Sequence, residues 1–159
     1  AMQPIVRKPF QPAILDRSPI FGASSAVLLR TCFRLGEALN VGSQAVRSGK
    51  SVVIELYARV TSSRRDGRKQ YFVLKDLYHD RPPFCDATFE LWDQSYLWDL
   101  DSRPFLSASE NSSITCRAIG KMKREAQKWR LDIVSIWAAD ASDVGFAAGV
   151  STDDVHNEL

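Results

Sequence analysis

Residues 51–60 limit the possible folds of this chain more than any other part of its sequence. Apolar side chains recur at every second position, at Val52, Ile54, Leu56, Ala58 and Val60. The intervening positions hold Val53, Glu55, Tyr57 and Arg59. Because successive side chains of a strand point to opposite faces, this period of two predicts a half-buried β-strand. The β-branched residues in the segment favour the same structure, with the first set of side chains facing the core.

Other segments of the sequence extend this pattern into a mainly β chain with short helices. The further predicted strands are Val27–Leu35, Tyr71–Leu77, Phe84–Trp92, Ile114–Ile119 and Trp129–Ala138. Polar loops at 61–70, with a central Asp-Gly, and at 120–128 are expected to close two hairpins. Short helices are expected at 36–47 and 142–148, and the connection 93–105 is a third candidate.

The length of 159 residues is that of one domain with a core of its own. Four of the seven prolines lie in residues 1–26, which we expect to form an extended arm before a barrel domain at 27–150. Residues 151–159 are expected to form a disordered acidic tail. No apolar run approaches the roughly 20 residues of a membrane span, and the N-terminus has no signal-peptide pattern. Three widely spaced cysteines favour reduced core thiols, and therefore the cytosol or the nucleus over secretion.

The predicted strands form a meander of three, followed by a connection and a final hairpin. This is the strand order of a five-stranded Greek-key barrel, closed or partly open. The first hairpin carries the sequences Val53-Ile54-Glu55-Leu56-Tyr57-Ala58-Arg59-Val60 and Tyr71-Phe72-Val73-Leu74-Lys75-Asp76-Leu77 around a variable loop. It resembles the first hairpin of oligonucleotide/oligosaccharide-binding (OB-fold) domains, usually apolar-x-apolar-x-Gly-Arg-Val, loop, aromatic-x-apolar-x-Asp. The resemblance covers about residues 27–150 and is to the replication-protein-A and telomere-capping types. The chain departs from the usual pattern at Ala58, where glycine is common, and in lacking an Asp-x-Thr-Gly turn after Asp76.

Two basic loops close the predicted hairpins, and the resemblance implies that they flank one binding cleft. Residues 59–75 contain six Lys or Arg and one Asp, and residues 117–130 contain six Lys or Arg and one Glu. Cationic rims along a cleft can track a phosphate backbone. The expected phosphate contacts are Arg59, Arg64, Arg65, Arg68, Lys69, Lys121, Lys123, Arg124, Lys128 and Arg130. The alternative is that charged hairpin tips only keep the sheet edges soluble.

Aromatic side chains near these loops are candidates for stacking on bases. Single-strand binding usually combines a basic groove with such platforms. Tyr57 alternates away from the core and lies beside Arg59, while Tyr71 and Trp129 lie at strand ends that adjoin the loops. The alternative for each ring is burial in the core, where aromatic residues commonly pack.

An acidic and aromatic run at 89–101 points to a protein partner instead. Its Trp, Tyr and Leu side chains have the composition of interface hot spots, and its negative charge would repel nucleic acid. The expected docking residues are Trp92, Tyr96, Leu97 and Trp98. The alternative is a connection that covers one end of the barrel with its aromatic rings tucked inside.

Catalysis and cofactor binding are not expected. The sequence has two histidines, and the acidic residues and Cys85 around His79 match no standard metal-ligand spacing. Phosphate-binding glycine loops, nucleophile elbows and zinc-protease motifs do not occur in the sequence. We therefore predict no catalytic residues, no metal and no cofactor.

Two functions remain open at this point. The first is a nuclear OB-fold subunit of a genome-maintenance complex for replication, repair or telomeres, which binds single-stranded DNA, with RNA as an alternative ligand. In this function the chain binds both nucleic acid and a protein partner. The second is an OB-fold scaffold that docks a partner protein and binds no nucleic acid, since a fold does not fix a function.

Overall fold

The computed structural model describes residues 28–148. The strands are β1 Leu28–Cys32, β2 Val52–Asp66, β3 Lys69–Lys75, β4 Cys85–Phe89, β5 Ile114–Glu125 and β6 Lys128–Ala138. The helices are α1 Leu35–Ser48, α2 Tyr96–Ser102 and α3 at 141–148, and a 3₁₀ turn at Arg103–Ser107 follows α2. The arm predicted at 1–26 and the tail predicted at 151–159 lie outside the described residues.

Five strands close into a barrel. Antiparallel pairs join β2 to β3, β3 to β4, and β5 to β6, while β4 and β6 run parallel. The barrel closes because β5 also pairs antiparallel with the first half of β2. β1 lies outside the barrel and pairs parallel with the start of β2. The predicted fold class, a mainly β chain with short helices and a five-stranded barrel, is confirmed.

The alternating residues of β2 fill the barrel as predicted. Ile54, Leu56, Ala58 and Val60 have no exposed area, because their side chains point into the interior. Phe105 from the 3₁₀ turn is equally buried and meets the interior Phe72 edge to face, with ring centroids 5.9 Å apart. The helical connection between β4 and β5 therefore contributes a large side chain to the barrel core.

The outer face of β2 is also buried, where the sequence predicted a half-exposed strand. Glu55 is 6% exposed and accepts hydrogen bonds from the hydroxyl of Thr31 at 2.6 Å and from Nε of Arg117 at 2.7 Å. The Phe33 ring lies flat on Tyr57, with centroids 5.2 Å apart. Side chains from β1, from β5 and from the turn before α1 therefore cover this face.

Both hairpins extend further than the sequence predicted. β2 continues to Asp66 and β3 begins at Lys69, so that two residues remain for the turn, including Gly67 with φ of 60°. In the second hairpin the turn residues Ala126 and Gln127 both have positive φ, as two-residue hairpin turns of type I′ require. Residues 61–66 of β2 are polar, so hydrophobic alternation stops after Val60 although backbone pairing with β3 continues to Asp66.

The predicted helices at 36–47, in the connection 93–105 and at 142–148 are confirmed as α1, α2 and α3. α1 ends at Gly49, which adopts the left-handed conformation with φ of 70°. α3 begins with a reciprocal cap, in which the carboxylates of Asp140 and Asp143 each accept the other's backbone N–H at 2.7 and 3.0 Å. Among residues 28–148, no helix combines the length and apolar content that crossing a membrane requires.

The loop after β3 is tied to the start of α1 by Asp76. This carboxylate, 2% exposed, accepts the backbone N–H of Leu35 at 3.1 Å and Nε of Arg34 at 3.2 Å. Burial acts to raise the pKa of Asp76, but the N–H groups of Tyr78 and Leu35 together with the Arg34 guanidinium outweigh it and hold the pKa below its usual value. The carboxylate is therefore ionised at neutral pH and stabilises this corner of the fold.

The three cysteines are free thiols inside the fold, as predicted. Burial is the main cause that raises the pKa values of Cys32, Cys85 and Cys116 to about 12. Thiols with such pKa values stay protonated at neutral pH and behave as small apolar core residues.

Candidate nucleic-acid interface

A groove crosses the outer face of the barrel over β3 and β4. Its volume is about 350 Å³, and β2 and β6 contribute its flanks. The polar and aromatic residues that line it are Ser62, Arg64, Tyr71, Phe72, Asp86, Thr88 and Arg130. In OB-fold barrels the face of the second and third strands, here β3 and β4, is the usual ligand surface.

Strand register places the outward-facing residues of the groove in two rows, which continue beyond it across the strands. One row consists of Arg64, Tyr71, Thr88, Asp132 and Lys121, each paired with the next across neighbouring strands. The other consists of Ser62, Val73, Asp86, Arg130 and Lys123. Paired residues of neighbouring strands have Cβ atoms about 4.5–5.5 Å apart. The rows therefore form continuous strips of side chains across the barrel face.

Tyr71 and Arg64 form a stacked pair at one end of the first row. The Arg64 guanidinium carbon lies 4.4 Å from the centroid of the Tyr71 ring. Arg64 is 64% exposed and is 3.6 Å from a carboxylate oxygen of Asp66. The pair combines a cation with a half-buried aromatic ring, the two kinds of side chain that binding sites for single-stranded nucleic acids use.

Arg65 points away from this groove because consecutive strand residues face opposite ways. Its guanidinium carbon lies 3.8 Å from the Trp92 ring centroid, and its side chain donates to Oε1 of Gln70 at 3.0 Å. It also forms an ion pair with Asp99 at 2.8 Å and donates to the hydroxyl of Ser102 at 3.2 Å. Arg65 therefore connects the first hairpin to α2, and the prediction that it contacts phosphate does not fit this geometry.

The other cations of the first hairpin tip are also paired with the acidic segment. Arg68 contacts Asp93 at 3.0 Å, and Lys69 contacts Glu90 at 3.2 Å. The sequence grouped these residues with Arg64 as one basic loop. In the structure they lie against acidic partners and do not line the groove.

The second hairpin brings Arg130 to the groove and places Lys123 beside it on the next strand. Lys123 pairs with Asp132 at 2.8 Å, and Arg130 pairs with Glu125 through Nη1. Asp132 raises the pKa of Lys123 through this hydrogen bond, which strengthens its hold on the charged ammonium. Each of these cations already has a carboxylate neighbour, with which a phosphate would compete.

The remaining cations of this hairpin lie beyond the groove. Lys121 donates to the hydroxyl of Ser51 at 3.0 Å, at the end of the first row. Arg124 lies 5.8 Å from the centroid of the Trp129 ring, near the hairpin tip, and Lys128 is exposed there. Alternation along β5 and β6 places Arg124 and Trp129 on the face of the core residues Met122 and Leu131, opposite the face of Arg130, and Trp129 packs partly against the core. These two residues and Lys128 are not part of the groove lining.

Two residues that the sequence favoured are placed elsewhere. Tyr57 is 6% exposed under Phe33, which covers the face that a base would need. Arg59 donates to the carbonyl oxygens of Asp76 and His79 at 2.8 and 2.9 Å and pairs with Asp80 at 2.6 Å. Arg59 thus holds the loop after β3, and neither residue lines the groove.

The four predicted docking residues separate into two pairs. Trp92 lies under Arg65, and Trp98 packs against Phe89, with ring centroids 6.4 Å apart. In contrast, Tyr96 and Leu97 on α2 are 73% and 65% exposed. The connection therefore packs its tryptophans, partly buried, against the core and exposes Tyr96 and Leu97.

Sequence reasoning missed Asp86 and Thr88 as groove residues, and Asp132 as a member of the first row. They lie on β4 and β6, whose facing the sequence did not establish. Thr88 is 3% exposed, yet its hydroxyl has no hydrogen-bond partner among the described residues, and neither has Nε of Arg130. Alternation within the predicted strand 84–92 places Asp86 and Thr88 on one face, which was the available signal for these two residues.

Comparison with known protein sequences finds similarity over part of this chain. A scan against protein-family models finds no match. The meiotically up-regulated gene 37 protein of Schizosaccharomyces pombe is 35% identical over 72 residues, which are 45% of this chain and 33% of that protein. The matched region thus spans about a third of this relative's length.

Solved structures with a similar chain fold are distant in sequence. The match to a chain of the S. pombe Stn1–Ten1 complex covers 67% of this chain and 72% of the other, with 13% sequence identity and a TM-score of 0.47. The match to a chain of a replication protein A heterotrimer bound to single-stranded DNA covers 69% of this chain and 74% of the other, with 14% identity and a TM-score of 0.44. The match to a chain of yeast Stn1 and Ten1 covers 82% of this chain and 95% of the other, with 6% identity and a TM-score of 0.46.

The fold follows from the barrel itself. Its strands close in the order β2-β3-β4-β6-β5, β4 and β6 are parallel, and a helical connection links β4 to β5. This arrangement makes the described part of the chain an oligonucleotide/oligosaccharide-binding fold, as the resemblance of its first hairpin implied.

Proposed function

We propose that this chain binds single-stranded nucleic acid, in the first instance DNA, in the groove over β3 and β4, without catalysis. The observation that carries the proposal is the stacked pair of Arg64 and Tyr71 at one flank of the groove, with Arg130 at the other. An aromatic platform between cations suits a strand with unstacked bases and a charged backbone.

The residues have separate roles in this proposal. Tyr71 stacks on a base, while Arg64, Arg130 and Lys123 contact phosphates along the groove. Lys121 lies at the end of the first row and extends the path. Phosphates must displace the carboxylates that now pair with these cations, so we expect moderate affinity that weakens as salt is added. Log affinity falls with a slope of about −0.7 per phosphate contacted on a single strand.

We further propose that the chain acts as a nuclear subunit of a genome-maintenance complex. Support for this part comes from the sequence resemblance of the first hairpin to the replication-protein-A and telomere-capping types. A protein partner in such a complex is part of the proposal.

Replacing Tyr71 with alanine tests the proposed platform. Loss of one base–aromatic stack costs about 1–3 kcal/mol, so affinity should fall about 5- to 150-fold. The measurement is fluorescence anisotropy with labelled single-stranded DNA of about 20 nucleotides, longer than the usual site of one OB fold. Titrations at two salt concentrations give the number of phosphates contacted.

The control for this test is Tyr78→Ala. Tyr78 is 60% exposed and has Arg34 over its ring at 5.4 Å, so that it resembles Tyr71, but it does not line the groove. Its replacement should leave affinity unchanged. Equal losses for the two variants, or no binding by the unaltered protein at low salt, would contradict the proposed site.

The exposed face of α2 favours a second candidate, a docking surface for a partner protein. Tyr96 and Leu97 are mostly exposed, and Leu100 adds a side chain that is 37% exposed. Burial of these side chains against a partner would stabilise the complex through the hydrophobic effect. This candidate is compatible with nucleic-acid binding, because the groove lies on β3 and β4.

Leu97→Glu tests this second candidate in its simplest form, a homodimer. We expect sedimentation velocity to show self-association of the unaltered protein and its loss in the variant, because a carboxylate would be buried at the interface. Leu28→Glu is the control, since Leu28 is 59% exposed on β1, away from α2. A protein that stays monomeric at high concentration would contradict the homodimer.

A further inference from the structure

The outer face of the barrel carries a second exposed aromatic ring with a cation over it. Nζ of Lys75 lies 5.2 Å from the centroid of the Phe84 ring. Phe84 is 47% exposed, and it is not among the described residues that pack against the core. Single exposed apolar residues are common on protein surfaces, so the position of this ring decides whether it has a role.

Strand alternation and register place this pair in line with the groove. Along β3, Lys75 follows Tyr71 and Val73 at intervals of two residues, so that all three side chains share the outer face. Phe84 immediately precedes β4 and lies two residues before Asp86, which faces outward. Val73 and Asp86 are direct neighbours across the two strands, and both line the groove. The Phe84–Lys75 pair therefore adjoins the groove beyond its second row, about 13 Å from Tyr71 along β3.

The two ends of this face present the same combination of side chains. Arg64 stacks on Tyr71 at one end of the groove, and Lys75 lies over Phe84 just past the other end. Lys75 also pairs at 2.7 Å with Glu110, whose carboxylate is 68% exposed and can be replaced by a phosphate. A single strand repeats a base and a phosphate at every nucleotide. A repeated pair of ring and cation on one face therefore matches this ligand.

We propose that Phe84 is a second stacking platform for the strand bound in the groove and that Lys75 contacts a phosphate beside it, an inference that rests on the proposed function. The binding site then extends along β3 and β4, past the end of the groove. Asp86 lies between the two rings, and its carboxylate repels phosphates. A base rather than a phosphate is therefore expected over Asp86, because a carboxylate accepts hydrogen bonds from amino groups.

Substitutions of Phe84 test the second platform through the anisotropy of the labelled strand of about 20 nucleotides at low salt. Phe84→Ala should lower affinity about 5- to 150-fold, the effect of losing one base–aromatic stack. Phe84→Trp keeps an aromatic face and should retain the affinity of the unaltered protein. Phe84→Leu keeps an apolar side chain without the ring, and it should lose affinity as the alanine variant does.

Phe146→Ala is the matched control for these variants. Phe146 is 60% exposed in α3 and does not line the groove, so its replacement should leave affinity unchanged. Phe84→Ala should melt at nearly the temperature of the unaltered protein, because the ring does not pack in the core. Combined with Tyr71→Ala, it should multiply the loss of affinity, because sites more than about 10 Å apart act independently.

Lys75→Gln tests the phosphate contact separately from the stack. The substitution removes the charge, and the slope of log affinity against log salt concentration should become shallower by about 0.7, the share of one phosphate on a single strand. An unchanged slope overturns the assignment of Lys75.

The possible outcomes separate this inference from the proposed function. If Tyr71→Ala weakens binding while Phe84→Ala does not, the second platform is overturned and single-strand binding in the groove stands. Full affinity of Phe84→Leu overturns the stacking role, and equal losses for Phe84→Ala and Phe146→Ala overturn the site. Absence of binding by the unaltered protein at low salt overturns the proposed function and this inference together.

Discussion

Replacing Arg65 with alanine is expected to lower the free energy of unfolding by about 2 kcal/mol. The side chain links Gln70, Asp99 and Ser102 and lies against the Trp92 ring. Its removal leaves the fully buried Gln70 amide oxygen without its donor and leaves Asp99 with Arg103 as its remaining arginine partner. Arg65 and Asp99 are 20% and 23% exposed, so the loss should be smaller than for a fully buried ion pair.

Arg64→Ala is the matched control and should show the opposite behaviour. Arg64 is 64% exposed, and its stacking on Tyr71 and its 3.6 Å pair with Asp66 lie at the surface. Its replacement should change stability by no more than about 0.5 kcal/mol. According to the proposed function, the same replacement lowers affinity for single-stranded DNA, whereas Arg65→Ala does not lower the affinity of the folded protein.

Urea unfolding, followed by tryptophan fluorescence, measures the change in stability. Anisotropy of labelled DNA, recorded below the unfolding transition, measures the change in affinity. The described orientation of the two arginines would be contradicted if both variants lost the same stability. It would also be contradicted if Arg65→Ala reduced DNA affinity more than Arg64→Ala. In either case the hairpin tip would act as one basic loop, as the sequence suggested.

Gly120→Ala is expected to destabilise the barrel by about 3 kcal/mol, at the upper end of overpacking effects. A Cβ atom at this position would lie 2.3 Å from the carbonyl oxygen of Asp132 and 3.0 Å from Cα of Ile133. These are backbone atoms of β6, which cannot rotate away as a side chain could. Gly120 follows the register shift between β5 and β6, where the two backbones approach closely.

Gly145→Ala is the control for this substitution. Gly145 lies in α3, and a Cβ atom there would have no neighbour within 4 Å. The same substitution in a helix should raise stability by up to about 1 kcal/mol, because alanine favours helix. Thermal and urea unfolding of both variants measure the difference. A Gly120→Ala protein as stable as the unaltered one would show that β6 can move away from this position.

The proposed binding groove shows how far prediction from the sequence could go. Tyr71, Arg64 and Arg130 were identified because aromatic and basic residues cluster in the hairpin sequences. Tyr57 was placed correctly opposite the barrel interior, but the prediction treated that face as open. Phe33 covers it, and a contact between residues so far apart in sequence has no local signal.

The hairpin tips show a second limit. Arg64, Arg65, Arg68 and Lys69 are nearly consecutive, and composition alone groups them as one cationic loop. The continued pairing of β2 with β3 sends Arg64 and Arg65 to opposite faces. Acidic residues of 90–101 then pair with Arg65, Arg68 and Lys69. Sequence patterns did not predict this pairing, because the acidic segment was expected to remain separate from the cleft.

The amino-acid sequence by itself determined the strand segments, the short helices, the residues of β2 that fill the barrel and the burial of the cysteines. These features depend on side-chain alternation, turn residues and apolar content within short segments. Only the tertiary structure decided which cations share a face and which aromatic rings are covered. It also decided that Thr88 and Asp86 lie beside Tyr71 and Arg130. These outcomes depend on the register between strands distant in sequence, since a shift of one residue moves every side chain to the other face.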